Sequence, residues 1–177
     1  MNPNSSQRRS NDDAELVRST MAEVRRDRAV DAQHVLTRLQ DWKERTDRLF
    51  DFIQSTLGSQ FTYNRTGKQR SAEELVQRAG LSQEEVPALD ILRIERPPGT
   101  VRATIVPRGL WIIGANGRLD LRVLRPGNKQ IHYFLVDKSQ PLSGVENASW
   151  HIVDPSDRLE QRPLTEQILS EIVGASN

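Results

Sequence analysis

Between Asp12 and Leu57 the chain contains neither proline nor glycine, Gly58 follows, and apolar residues recur every three or four positions. That spacing predicts an amphipathic helix with a glycine stop. Its most regular register runs Ala32, Val35, Leu39, Trp42, Thr46, Leu49, Ile53, the alternation of threes and fours that lets two helices share a coiled-coil seam. Further back, Arg28 and Arg25 interrupt the register, and Val17, Met21 and Val24 resume it only after a break. A helix of about 46 residues would measure about 69 Å, against about 30 Å for a globule of about 90 residues. Such an arm overhangs, and its stripe must be buried on a second copy, on its own chain or on a partner. A homodimer with Val35, Leu39, Trp42, Leu49 and Ile53 in the seam is the simplest expectation. Phe50 and Phe52 widen the stripe, so the end of the arm is expected to dock on the domain that follows.

The stretch 59–70, SQFTYNRTGKQR, is polar and basic and reads as a linker. Ser71 with Glu74 has the form of a capping box opening a short helix to Ala79, ended by Gly80. Ser82 and Glu85 repeat the box, and Pro87 limits that second helix to about a turn. From Leu89 the period changes to two, through LDILRIE, VRATIVP, LWII, a turn at Asn116-Gly117, RLDLRV, a turn at Pro126-Gly127, and KQIHYFLV. A last strand is expected over Ser149 to Val153, and Thr165 caps a terminal helix carrying Leu164, Ile168, Leu169, Ile172 and Val173. The fold class is therefore α+β: a long N-terminal amphipathic or coiled-coil helix, then a small antiparallel β-meander, as a sheet or partly closed barrel, with a C-terminal helix. The boundaries are a polar end at 1–11, a helical arm at 12–58, a linker with short helices at 59–88 and the β domain at 89–177.

Composition adds limits. Of the 177 residues 28% are charged and 36% hydrophobic, which suits one core with a solvated appendage. Zero cysteines remove disulfides, thiolate nucleophiles and Cys-ligated zinc, and a cytoplasmic protein is the expectation. No apolar run is long enough for a secretory core or a bilayer span. Net charge is +1, but residues 99–138 hold seven basic groups against two acidic ones, and residues 139–177 hold two against six. Strand alternation groups Arg102 with Arg108, and Arg118 with Arg122; with Arg125 and Lys129 they form a candidate basic face for an acidic partner or for phosphates.

Catalytic signatures are sparse. The histidines are His34, His132 and His151; without HxH or HExxH spacing no metal or cofactor is expected, and His132 or His151 with a carboxylate such as Asp137 or Asp154 is a weak acid–base candidate. Serine-nucleophile and phosphate-loop arrangements are missing from the sequence. The segment Glu74 to Ser82, followed by Val86, resembles the first helix and turn of a helix-turn-helix motif. It departs from that pattern at Pro87 and in the acidic Glu84 and Glu85, which would face phosphates. The reading favoured by the sequence is a non-catalytic assembly protein that dimerises through its arm and presents a basic sheet face. A nucleic-acid-binding module using that face or segment 71–89, and a small hydrolase using His132 or His151, are the alternatives.

Overall fold

The structure is a computed structural model that describes residues 31–97 and 99–174. The expectations for residues 1–11 and for a helix over 12–30 lie outside the described residues. Helix α1 spans Ala32–Leu57, 26 residues, and Asp31 caps it: its extended backbone ends the helix, and its carboxylate accepts the Gln33 and His34 amides at 2.9 and 3.3 Å. Gly58, at φ 66°, closes the other end with its amide on the Gln54 carbonyl.

Seven strands follow: β1 Thr62–Gln69, β2 Leu89–Arg96, β3 Thr100–Gly109, β4 Arg118–Arg125, β5 Lys129–Asp137, β6 Trp150–Asp154 and β7 Asp157–Pro163. They form one antiparallel sheet in the order β1-β2-β3-β4-β5-β6-β7, each strand beside its neighbour in sequence. The sheet is open, with β1 and β7 as its edges. Between β1 and β2 lies the short helix α2, Glu74–Arg78, and after β7 comes α3, Glu166–Leu169, continued by a π-helical turn over Ser170–Gly174. Thr165 caps α3 by accepting the Ile168 amide at 3.2 Å.

One face of the sheet is covered and builds the core. Leu49, Phe50, Ile53 and Leu57 of α1 meet Leu92, Ile94, Ile105, Leu119, Leu121, Val123, Leu135 and Ile152 of the strands, and Leu169, Ile172 and Val173 fill the flank. The first half of α1 buries Val35, Leu39 and Trp42 beneath Val76, Val86, Leu89 and Leu110. The five side chains expected in a dimer seam are thus each 3% exposed or less within a single chain. The stripe is filled in cis, because the sheet and the α2 connector supply the apolar surface that a second helix was invoked to provide. Arg45, on the same helix, is 1% exposed and pairs with Asp137 at the end of β5.

Two sequence expectations change in the connections. The supposed linker 59–70 contains edge strand β1, which pairs with β2 through a bulge at Arg65 and Thr66. Bulged Arg65 reaches Asp47, Asp51 and Asp90 at 2.7, 2.9 and 2.9 Å, tying the strand to α1. The Asn116-Gly117 pair is not the hairpin tip: the β3–β4 connection turns at Ile113 and Gly114, inside an Ile112–Ala115 bridge. Asn116 is buried, its side chain accepting from Arg38 at 2.8 Å and its carbonyl from Arg45 at 2.8 Å. Gly117, at φ 131°, passes so close to Trp42 that a Cβ would lie 2.7 Å from the indole nitrogen.

Three outcomes follow for stability. Leu39→Ala removes a fully buried side chain and is expected to lower unfolding free energy by about 2–5 kcal/mol, read from the urea midpoint. Arg45→Ala leaves Asp137 buried without its cation and should cost about 3–5 kcal/mol by the same measurement. At Asp90, burial raises the carboxyl pKa, but hydrogen bonds and charges from Lys68 and Arg65 outweigh it and hold the group below its usual value. A depressed folded pKa stabilises above the ordinary carboxylate range and is lost as pH falls through the folded value. Asp90→Asn should therefore lower the urea midpoint at neutral pH, with the difference vanishing in acid.

Candidate interaction surface

The second face of the sheet carries no helix among the described residues. Alternation and register decide what it displays. In β4 it presents Arg118, Asp120 and Arg122; their partners are Val136, Phe134 and His132 of β5, and Val106 and Thr104 of β3 stand opposite Asp120 and Arg122. Arg108 is the bulged residue at the end of β3 and turns its guanidinium onto Asp120 at 2.6 Å. Arg118 Nε and His132 Nε2 lie 3.7 and 3.6 Å from the same carboxylate.

Asp120 is therefore the centre of a cationic cluster on a half-exposed face. Its side chain is 7% exposed, whereas those of Arg108, Arg118 and His132 are 34%, 35% and 41% exposed. The Arg118 guanidinium stacks 4.7 Å above the Phe134 ring, and His132 meets Phe134 edge to face at 5.0 Å. Arg122, one register step along, is exposed and has no ion-pair partner among the described residues. Buried charge of one sign thus holds the arginine heads upright, while the remaining positive charge faces solvent.

Beside the cluster is an apolar hollow of about 240 Å³ lined by Ile112, Ile113, Phe134, Val136 and Val153, with Arg118 and Lys138 at its edge. Ile113, at the tip of the β3–β4 connection, is fully exposed. The Lys138 ammonium donates to the Gly114 carbonyl at 2.9 Å and steadies that tip. LWII, whose period suggests a strand, forms a projecting turn instead, and for that reason the hollow is not legible in the alternation. An isoleucine followed by glycine within a period-two run was the available signal.

Of the six basic residues assigned to the face, Arg108, Arg118 and Arg122 lie together on it. Arg102 does not. A bulge at Arg102 in the β2–β3 register redirects it, so that its guanidinium donates to the Leu124 and Val173 carbonyls at 2.7 and 3.3 Å. Arg125 has the opposite parity to Arg122 and donates to the Glu171 carbonyl at 3.5 Å. Lys129 is the cross-strand partner of Arg125 at the hairpin end, away from the cluster. Arg102 and Arg125 thus serve the end of the terminal helix, where carbonyls lack intrahelical partners.

The histidines do not converge. His132 pairs with Arg122 and His151 with Val136, about 13 Å apart along β5 at 3.3 Å per residue. His151 contacts the Ser149 carbonyl at 3.2 Å. Asp137 and Asp154 are committed elsewhere, to Arg45 and to Ser156, and no group of three metal-ligating side chains occurs among the described residues. Segment 71–89 forms α2 and one further turn, with no second helix. Ser71 does not cap α2, since Glu73 is the N-cap residue and its carboxylate accepts from Ser71 Oγ and from the amides of Leu110 and Trp111. Those bonds make the segment a brace for the β3–β4 connection rather than a reading head. No protein-family profile, curated protein or solved structure matches this chain.

Proposed function

We propose that the protein is a non-catalytic binding module whose sheet face opposite α1 receives an acidic protein segment carrying an apolar anchor. The observation that supports this most directly is the apolar hollow at Ile113 and Phe134 bordered by Arg118 and Lys138, with Arg122 unpaired nearby. An anchor side chain enters the hollow, and carboxylates on the same segment lie over Arg118 and Arg122. Interfaces gain most from such buried apolar anchors, while charges around them set encounter rate and orientation.

Nucleic acid is the weaker occupant for a specific reason. Single-stranded bases are held by free aromatic faces, and Phe134 already carries a guanidinium on its face and an imidazole at its edge. Self-association through Val35, Leu39, Trp42, Leu49 and Ile53 forms no part of the proposal, since it would first require α1 to leave the core.

The test is a titration of the isotope-labelled full chain with a 12-residue peptide of alternating Glu and Leu, beside a 20-residue oligothymidylate. Peptide binding should perturb amides of Ile113, Arg118, Arg122 and Phe134, and should weaken at least tenfold in Arg118→Glu/Arg122→Glu. Raising salt from about 50 to 500 mM should weaken it in the same direction. Arg125→Glu/Lys129→Glu should leave it within about twofold. Perturbation by the oligonucleotide alone would move the assignment to nucleic acid, and no saturable change with either would end it.

A further inference from the structure

A row of residues crosses the sheet face opposite α1 at right angles to the strands. Asn64 of β1, Arg93 of β2, Thr104 of β3, Arg122 of β4 and His132 of β5 are successive cross-strand partners, so all five side chains stand on that face. Arg93 and Arg122 are both exposed, and neither guanidinium has an ion-pair or hydrogen-bond partner among the described residues. Thr104 is directly opposite each of them, and its side chain rises between theirs.

The charges on this face do not cancel. Strands β2 to β5 bring four arginines to it, Arg93, Arg108, Arg118 and Arg122, against the two carboxylates of Asp120 and Glu95. Asp120 is taken by Arg108 and Arg118, and Glu95, one alternation beyond Arg93, makes no ion pair with it. What remains is two like charges astride a hydroxyl. A carboxylate on a ligand balances only one of those charges. A phosphoryl group carries close to two negative charges near neutral pH and three acceptor oxygens, one for each guanidinium and one for the Thr104 hydroxyl. Guanidinium groups match such an anion through paired, charge-assisted hydrogen bonds.

We infer, resting on the acidic-segment reading of this face, that the segment it receives is phosphorylated: a phosphoserine or phosphothreonine seats on Arg93, Thr104 and Arg122 while the apolar anchor fills the hollow at Ile113 and Phe134. The register also gives the spacing between the two. From Thr104 to Phe134 is two strands across and two residues along, about 12 Å at about 4.8 Å per strand and 3.3 Å per residue. An extended chain covers that distance in four residues and turns both side chains to the same side, so the anchor lies four positions from the phosphorylated residue. The same anion on a lipid headgroup is the poorer fit, because a bilayer presents no single side chain to a hollow of about 240 Å³.

The test is fluorescence anisotropy of labelled peptides with the full chain, in both orders, Leu-Ala-Ala-Ala-phosphoserine and phosphoserine-Ala-Ala-Ala-Leu. One order should bind at least tenfold more tightly than its Ser and Glu counterparts and than the same peptide with the spacing cut to two. Arg93→Gln removes an exposed charge outside the core. It should weaken the phosphopeptide about tenfold with an unchanged melting temperature, and change binding of the alternating Glu and Leu peptide by no more than about threefold. Equal affinity for the phosphorylated and Glu peptides, or no effect of Arg93→Gln, would overturn the inference, while binding of the Glu and Leu peptide would leave the acidic-segment reading standing. Failure of every peptide would end both. Co-sedimentation with phosphatidylcholine vesicles carrying phosphatidylinositol phosphate, without phosphopeptide binding, would also overturn it.

Discussion

Asp137 holds together three parts of the chain that are distant in sequence. Its carboxylate accepts from Arg45 of α1, from the amide and hydroxyl of Ser139, and from the amide of Ser149 just before β6. Arg45 in turn holds the Asn116 carbonyl of the β3–β4 connection, and the Asn116 amide donates to the Asp137 carbonyl. Helix, strand end and turn are therefore fixed by one fully occupied buried carboxylate. The attraction between the two ions is largely offset by their desolvation, but the pair also satisfies the Ser139 and Ser149 amides and the Asn116 carbonyl, which apolar residues at 45 and 137 would leave without these partners. What the pair adds is position: an apolar contact between α1 and β5 tolerates sliding, whereas these bonds admit one axial setting of the helix on the sheet.

Much of this architecture was legible from period alone. The helix from Ala32 onward, strands β2 to β6 and the cap at Thr165 all stand where spacing places them, because each has one face buried and therefore alternates. The edge strands β1 and β7 were hidden for the converse reason. Thr62–Gln69 and Asp157–Pro163 are polar segments at the sheet margins, where pairing supplies order without demanding an apolar alternation. The helical stripe is buried as its spacing requires, but a run of threes and fours says that a face is covered and nothing about which surface covers it. Single-residue effects were out of reach as well. The bulge that swings Arg102 to the terminal helix leaves no trace in a local pattern, and Asn116 was diverted from the hairpin tip by two arginines more than seventy residues away in sequence.

The sheet face opposite α1 gains its character from the same parity. Along β4 the core takes Leu119, Leu121 and Val123, and the other face receives Arg118, Asp120 and Arg122 by necessity. A lone carboxylate among cations is best understood through what its absence would do. Arg108 and Arg118 would then sit within one cross-strand neighbourhood with no counter-charge, and like charges placed near one another destabilise a sheet. Asp120 relieves that conflict while leaving Arg122 and the exposed edges of the other cations to solvent. The face is thus both tolerable to its own fold and still positive toward a partner, a balance that a uniformly basic surface does not offer.

Register fixes how far apart the two parts of that face stand. Thr104 is opposite both Arg93 and Arg122, while Asp120, two residues before Arg122, is opposite Phe134. The row of arginines and the hollow are therefore separated by whole steps of the ladder, and not by the rotamers of long side chains. Strand β6 completes the hollow with Val153, while Trp150, three residues earlier and so on the other face, packs against the core. A slip of one residue in β4 would send Arg118, Asp120 and Arg122 inward among apolar side chains, so the core itself holds the spacing. The carboxylate that sets α1 on the sheet closes this chain of constraints. Asp137 ends β5 opposite Trp150, three residues from Phe134, and its bonds to Arg45 and to the Ser149 amide pin β5 and β6 where the hollow lies. A partner thus meets a surface whose distances the buried side has already set, and recognition there depends on the placing of strands more than on the reach of individual arginines.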